Sequence, residues 1–209
     1  MIALFGGTFD PIHLGHINMA KQCIDELSLD ALHFLPCAVP VHKAQPGITD
    51  THRLAMLLLA TKDNPKFKID HRELKRQGPS YSLLSLQECR VEHPNTPLVF
   101  LMGMDSFNSL PSWFKWQEIT KLCHIVVYQR PGEILSTTTE LSDYLAQSHT
   151  LDSSALHHKL GGLCYFLSGQ KFDAASSEIR KRLKNRENTE HLLNEKVINY
   201  INEHLLYAE

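Results

Sequence analysis

The sequence has no excess of charge of one sign, no long apolar run and no paired-cysteine motif. Its 21 Lys and Arg residues nearly balance 23 Asp and Glu residues, so no basic field indicates a nucleic-acid partner. The longest apolar stretch, residues 54–60, is too short to cross a bilayer, and we expect no membrane association. Because Met1 leads directly into an apolar run, we also expect no signal peptide.

The cysteines exclude two further classes of protein. There are five of them, an odd number, and they are widely spaced without a CxxC pair. Neither a zinc ribbon nor a disulfide framework is therefore indicated, and a reducing compartment is the simplest interpretation. Together with the lack of a signal peptide, this predicts a cytoplasmic protein.

The chain has the length and patterning of one α/β domain. Its 209 residues are 43% hydrophobic, and no repeat, low-complexity tract or boundary divides residues 1–209. Helical periodicity alternates with short strand-like runs at residues 2–5, 31–35, 67–70, 98–102, 125–128 and 163–167. This alternation predicts an α/β, Rossmann-like, doubly wound fold with a mostly parallel sheet.

Three details accompany this fold prediction. The last residues, about 170–209, are expected to form a small helical part that ends in an amphipathic packing helix near residues 197–205. Residues 131–162 are interpreted as a variable helix and loop. Thr51 and Ser82 are candidate N-caps of the second and third helices.

Residues 6–16, GGTFDPIHLGH, are the most informative segment of the chain. They follow the first apolar run directly, which predicts a strand, a glycine turn and a helix start. Glycines let a backbone approach a ligand closely, and a helix N-terminus offers N–H groups and the positive end of a dipole to phosphate. His13 and His16 lie on one face of the turn, where an imidazolium can donate to an oxygen that gains charge. Two histidines could also begin a zinc site, but no third ligand stands at a familiar spacing.

This segment resembles the (T/G)xFDPxHxGH signature of the nucleotidyltransferase superfamily, and its longer form resembles the nicotinate-nucleotide adenylyltransferase branch. Further resemblances near residues 40, 80, 103, 113, 130 and 176 extend over nearly the whole chain. The resemblance implies transfer of the adenylyl group of ATP to nicotinate mononucleotide, which gives deamido-NAD and pyrophosphate. It also implies that Mg²⁺ accompanies the ATP. The oligomeric state stays open, a homo-oligomer included.

The resemblance assigns site residues in three groups. Catalytic roles are implied for His13, His16, Lys43 and Arg180. ATP-binding roles are implied for Gly6, Gly7, Thr8, Phe9, His16, Gly103, Asp105, Arg130, Ser176, Ser177 and Arg180. Binding of the acceptor substrate is implied for His42, Tyr81, Ser82 and Trp113.

Physical reasons support several of these roles, each beside a structural alternative, which for Tyr81 and Ser82 is a plain helix cap with Tyr81 packing. Amides at the start of a helix favour an anion over a neutral amide, which gives Tyr81 and Ser82 a means of choosing nicotinate over nicotinamide. Trp113 can stack on a pyridinium ring or pack in the core, where Trp116 is expected. Asp105 can bond ribose hydroxyls or cap a helix. Arg130 can line the nucleotide pocket or pair with an acidic neighbour.

The sequence departs from the family pattern at several positions. Ala175 stands where relatives have serine, Ser177 where they have threonine, and Val41 where they have a second proline. The residue after Pro36 is often asparagine in relatives, whereas Cys37 and Ala38 follow it here. The loss of one hydroxyl shifts phosphate binding toward backbone amides and Ser177.

Three alternatives to this function follow from the same residues. A sibling transferase would act on nicotinamide mononucleotide or phosphopantetheine instead. A nucleotide-binding sensor whose catalysis has decayed is suggested by Ala175 and Cys37 and opposed by the intact histidine pair. An RNA-binding module finds support only in the basic run at residues 180–186, which is more simply a solvated helix face.

Overall fold

One parallel sheet forms the centre of the protein. The computed structural model describes residues 1–39, 47–136, 138–169 and 172–208. Within these ranges the strands are β1 (Ile2–Gly7), β2 (Leu32–Pro36), β3 (Phe67–Ile69), β4 (Leu98–Gly103), β5 (His124–Tyr128) and β6 (Cys164–Phe166). Every neighbouring pair is parallel, in the order β3-β2-β1-β4-β5-β6. The predicted Rossmann-like, doubly wound sheet is confirmed, and each predicted run overlaps one strand.

Helices connect the strands and cover both faces of the sheet. Two short 3-10 helices span Leu110–Ser112 and Ser153–His157. The described α-helices are α1 (Leu14–Glu26), α2 (Asp50–Thr61), α3 (Arg72–Lys75), α4 (Ser82–Glu92), α5 (Met104–Asn108), α6 (Trp116–Leu122), α7 (Thr139–Ser148), α8 (Ser176–Lys184) and α9 (Glu195–Glu203).

Two predicted helix caps are wrong by one or two positions. The N-cap of α2 is Thr49 rather than Thr51, and the N-cap of α4 is Tyr81 rather than Ser82. Both caps have extended backbone, so the helical conformation begins only at the residue after each of them. Neither cap accepts a hydrogen bond through its side chain.

The sheet separates two hydrophobic clusters. Along β4, Val99 and Leu101 face one cluster while Phe100 and Met102 face the other, as the two-residue period of a strand requires. The first cluster also contains residues of α1, α2, α8 and α9, and the second contains residues of α4 to α7. Trp116 is only 8% exposed, which confirms its place in the core.

The strand order fixes where a ligand can bind. The chain leaves β1 toward β2 and later returns beside β1 as β4, so the winding direction reverses between these two strands. Connections on opposite faces leave a crevice at the carboxyl ends of such strands. Both strands end in glycine, Gly7 and Gly103, at that crevice. Among the described residues, no helix is long and apolar enough to span a membrane.

Candidate active site

Two adjoining cavities open at the carboxyl edge of the sheet. The larger, of about 560 Å³, is lined by the β1–α1 turn, the ends of β4 and β5, and the start of α8. The smaller, of about 90 Å³, is lined by the start of α4 and by Trp113. Both are bordered by Gly6–Thr8 and by Trp113. The larger cavity brings together Gly7, His16 and Ser177, which come from opposite ends of the chain.

His13 and His16 form a reciprocal cap at the start of α1. The backbone N–H of His16 donates to Nδ1 of His13 at 3.3 Å, and the N–H of His13 donates to Nδ1 of His16 at 3.3 Å. The two rings stack with centroids 3.7 Å apart. Because each Nδ1 is an acceptor, a neutral ring carries its hydrogen on Nε2. Each Nε2–H is therefore a donor whose orientation the helix cap fixes.

Burial determines the charge of His13. The residue is only 5% exposed, and burial, with the nearby Arg130 charge as a second cause, lowers its pKa to about 3. Burial therefore favours the neutral ring at pH 7 in the ligand-free protein, whereas the expected imidazolium would need the negative charge of a bound phosphate beside it. A neutral ring still donates through Nε2, so the predicted hydrogen bond to a phosphate oxygen remains available.

Gly15 allows His13 to occupy this position. A Cβ atom on Gly15 would lie 2.9 Å from Nδ1 of His13 and 3.1 Å from Cβ of Ala174. Any side chain would push the ring away and separate α1 from the segment that precedes α8. The glycine of the HxGH motif is thus needed for contacts within the protein.

Phe9 lies beneath the site rather than in it. Its ring is 1% exposed, packs 5.1 Å from the His16 ring, and lines neither cavity. A Cβ atom on Gly7 would lie 3.0 Å from this ring. The Phe9 ring therefore supports His16 from below, and the ATP-binding role implied for Phe9 stays a prediction.

The start of α8 is tied to the β1–α1 turn. Arg180 Nη1 donates to the carbonyl oxygen of Asp10 at 2.6 Å, and the Ser176 hydroxyl donates to the carbonyl of Pro11 at 3.1 Å. Ala175 is the N-cap of α8 and supplies no side-chain hydrogen bond. The first-turn N–H groups, which lie beside Ser177 at the larger cavity, are therefore not covered by a capping side chain.

The ends of β4 and β5 contribute one acid and one base. A Cβ on Gly103 would lie 2.9 Å from Asp105 Oδ1, and that oxygen accepts from the N–H of Ser106 at 2.8 Å. The N-cap of α5 is Gly103, so Asp105 stands in the first turn rather than at the cap. Arg130 lines the larger cavity and also pairs with Glu133, with Nε 2.8 Å from Oε1. Arg130 therefore lines this cavity and pairs with an acidic neighbour, and its contact with a nucleotide stays a prediction.

Aromatic side chains line the smaller cavity. Trp113 is half-buried and packs edge-on against Phe100, with ring centroids 6.3 Å apart. Tyr81 lies 4.7 Å from the ring of Phe114. Ser82, at the first turn of α4, completes this wall. Trp113 thus combines core packing on one side with a surface toward the cavity on the other.

A buried acid, unrecognised in the sequence, braces this wall. Glu73 is 4% exposed, accepts from the Ser85 hydroxyl at 2.7 Å, and has its pKa raised by burial. The Ser80 hydroxyl donates to the Glu73 carboxylate and accepts from the N–H groups of Ala38 and Val39, each at 3.2 Å. This network fixes the segment after β2 against the start of α4.

Arg53 is the second residue that sequence reasoning missed. It is 1% exposed and donates to the carbonyl of Thr8, to the carbonyl of Cys37 at 2.6 Å, and to Asp50 at 2.6 Å. One guanidinium therefore holds the glycine turn after β1 against the segment after β2. Five N–H groups in a rigid plane allow this bracing, which a lysine could not provide.

His42 and Lys43, two of the predicted site residues, lie outside the described residues. Within the described ranges, no three His, Cys, Asp or Glu side chains converge to hold a metal ion.

Comparison with known proteins shows which family the chain belongs to. The model of the cytidylyltransferase-like family matches residues 4–182. A protein of Aeromonas salmonicida named "Probable nicotinate-nucleotide adenylyltransferase" is 42% identical over 206 residues, which cover 99% of this chain and 96% of the relative. A protein of Shigella boydii with the same name is 39% identical over 98% of this chain and 97% of its own. The chain therefore belongs to the nicotinate-nucleotide adenylyltransferases within the cytidylyltransferase-like family.

Solved structures agree on the fold. The nicotinic acid mononucleotide adenylyltransferase of Plasmodium falciparum, complexed with NaAD, matches with a TM-score of 0.76 at 18% identity. The match covers 99% of this chain and 96% of that one. A second structure of the same enzyme, complexed with APC, gives a TM-score of 0.73.

Proposed function

We propose that the protein transfers the adenylyl group of ATP to nicotinate mononucleotide and releases pyrophosphate, a reaction of NAD biosynthesis. The names of its relatives support this reaction, as does the NaAD complex of the Plasmodium enzyme. The observation that carries the proposal is the pair of cavities that meet at Gly6–Thr8. A dinucleotide made from two nucleotides requires two adjoining subsites whose phosphates meet.

Each cavity suits one substrate. The larger has the two histidines, the start of α8 and Arg180, which are the donors that a triphosphate requires. The smaller has a half-buried tryptophan and the start of α4, which suit a flat ring that bears a carboxylate. Gly103 and Asp105 at the end of β4 are assigned to the adenosine.

The reaction is an in-line displacement at phosphorus. An oxygen of the mononucleotide phosphate bonds to the α-phosphorus of ATP, and the bond from that phosphorus to the bridging oxygen of pyrophosphate breaks. The attacking phosphate is largely ionised at pH 7, since its second pKa is about 6. No general base is therefore needed, and no covalent enzyme intermediate is expected.

Catalysis then consists of positioning and charge stabilisation. Nε2–H of His13 and of His16 are assigned to the phosphate oxygens that gain charge as pyrophosphate leaves. Arg180 and Lys43 add positive charge. Nucleotidyltransferases generally use a divalent metal with ATP, and we infer that Mg²⁺ enters with the triphosphate as part of the substrate.

Selection of the acid over the amide follows from the start of α4. N–H groups and the positive end of the helix dipole stabilise a carboxylate more than a neutral carboxamide. The network of Glu73, Ser80 and Ser85 holds this segment in place.

The deciding experiment follows pyrophosphate release from ATP and Mg²⁺ with each acceptor in turn. We expect kcat/KM with nicotinate mononucleotide to exceed that with its amide by at least about tenfold, the usual value of one lost charged contact. Preference for nicotinamide mononucleotide or phosphopantetheine would assign the protein to a sibling activity. ATP binding without turnover on any acceptor would instead indicate a sensor.

A further inference from the structure

The Asp10 carboxylate occupies an unusual position for a site that binds a polyphosphate. It belongs to the β1–α1 turn, lines the larger cavity and is only 4% exposed. Its Oδ2 lies 3.9 Å from Nη1 of Arg180, the same nitrogen that donates to the Asp10 carbonyl. A carboxylate at this place can compete with phosphate for Arg180 and repels the phosphate directly.

Within the described part of the chain, two hydrogen bonds hold that carboxylate in place. The hydroxyl of Tyr207 donates to Oδ1 of Asp10 at 2.6 Å, and the backbone N–H of Gly47 donates to Oδ2 at 3.3 Å. Hydrogen bonds to an ionised acceptor are shorter and stronger than neutral ones. Burial and the bond to Asp10 raise the pKa of Tyr207, so its hydroxyl stays protonated and remains a donor.

The C-terminal segment is shaped to deliver this hydroxyl. Helix α9 buries Val197 and Ile201 in the core, and the chain then turns back with the N–H of Leu206 donating to the carbonyl of Ile201 at 3.0 Å. Leu205 and Tyr207 have φ values of +51° and +62°. Non-glycine residues rarely adopt this left-handed conformation, and where a fold maintains it the position is a candidate for function.

We propose that Tyr207 is a positioning residue of the triphosphate site: it holds the Asp10 carboxylate away from full contact with Arg180, so that the guanidinium serves ATP. The proposal rests on the proposed function only in assigning the triphosphate to the larger cavity. Tyr207 itself touches neither reacting group. Without its hydroxyl, Asp10 is expected to rotate toward Arg180 and close the ion pair.

Tyr207→Phe tests this while keeping the ring that packs on the core, and Tyr200→Phe is the matched control. The Tyr200 hydroxyl lies 3.0 Å from His52 Nδ1. The Tyr200→Phe substitution therefore removes the same chemical group from the same C-terminal region. We expect Tyr207→Phe to weaken ATP binding about tenfold in calorimetry, and to raise the ATP KM with little change in the acceptor KM. Equal effects in both variants, or parallel rises of both KM values, would overturn the proposal.

Two double variants separate competition from simple loss of structure. Asp10→Asn removes the competing charge, so Asp10→Asn/Tyr207→Phe should bind ATP more tightly than Tyr207→Phe alone. In an Arg180→Gln background, Tyr207→Phe should cause no further loss of ATP affinity. Additive losses in both pairs would refute the idea. Calorimetric ATP binding needs no acceptor, so it decides the role of Tyr207 even if nicotinate mononucleotide proves not to be the substrate.

Discussion

Replacing His13 by asparagine separates the two tasks of this residue. Histidine caps α1 through Nδ1 and offers Nε2–H to the larger cavity, whereas asparagine can cap with Oδ1 but has no donor at the position of Nε2. Asparagine is among the preferred N-cap residues, and the extended backbone at position 13, with φ −143° and ψ 171°, suits it. The variant should therefore keep the helix start while it loses a group that titrates.

The size of the expected pH effect on the free energy of unfolding follows from the pKa of His13. The pKa is about 3 in the folded protein and 6.5 ordinarily, so between these values the unfolded chain binds a proton that the folded protein does not. The free energy of unfolding consequently falls as the pH falls, by up to about 1.4 kcal/mol per pH unit. From pH 7.5 to pH 5.0 this group alone should remove about 2 kcal/mol, because only the unfolded state is protonated there. Asparagine does not titrate, so the variant should lose about 2 kcal/mol less over the same interval.

Urea unfolding at pH 7.5 and pH 5.0 measures both quantities. His13→Ala is the companion variant, since it also removes the titration but lacks a cap and should lose about 1 kcal/mol or more at both pH values. Identical pH-dependent losses in the parent protein and in His13→Asn would show that His13 is not buried as a neutral ring. The assignment of the ring hydrogen of His13 to Nε2 would then also be wrong.

Three further outcomes are expected. His16→Ala should lower kcat about 100-fold with a modest loss of ATP affinity; an unchanged rate would remove His16 from the mechanism. Trp113→Ala should raise the acceptor KM about tenfold and the ATP KM less; the opposite pattern would return Trp113 to a purely core role. Arg53→Met should lower the free energy of unfolding by about 3 kcal/mol in urea titrations, because two buried carbonyls lose their donor; a loss under 1 kcal/mol would contradict the bracing described for Thr8 and Cys37.

The fold could be predicted because its determinants are local. Each strand is a short apolar run, and periodic helices alternate with these runs, so the parallel sheet and its binding edge follow from connection rules. Helix starts were less accurate. Thr51 and Ser82 carry capping hydroxyls, yet the helices begin at Asp50 and Ser82 without using a capping side chain. Propensity identifies residues that can cap, whereas the backbone entering the helix determines which one does.

The residues that line the cavities were largely visible in the sequence, whereas those that brace them were not. Gly7, His16 and Ser177 line the larger cavity and stand in motifs for which the family resemblance implies ATP binding. Arg53 and Glu73 stand on helices where a charge usually faces solvent, and their partners come from other elements. One signal was available for Arg53, because it shares a helical face with Met56, which is fully buried. A charge on an apolar face indicates a buried partner.

The use of histidine as a helix cap explains why local rules fail at this place. Serine or asparagine would satisfy the same N–H group and, by the usual preferences, stabilise α1 better. Neither places a donor where His13 has Nε2, because the serine hydroxyl is itself the capping atom and the asparagine NH2 group branches from the same carbon as the capping oxygen. In His13 the backbone bond to Nδ1 determines which nitrogen carries the hydrogen. The same principle applies to Arg180, whose Nη1 is committed to the Asp10 carbonyl while the side chain lines the cavity. Donors fixed at one end need little reorganisation when charge develops at the other, which is what catalysis by positioning requires.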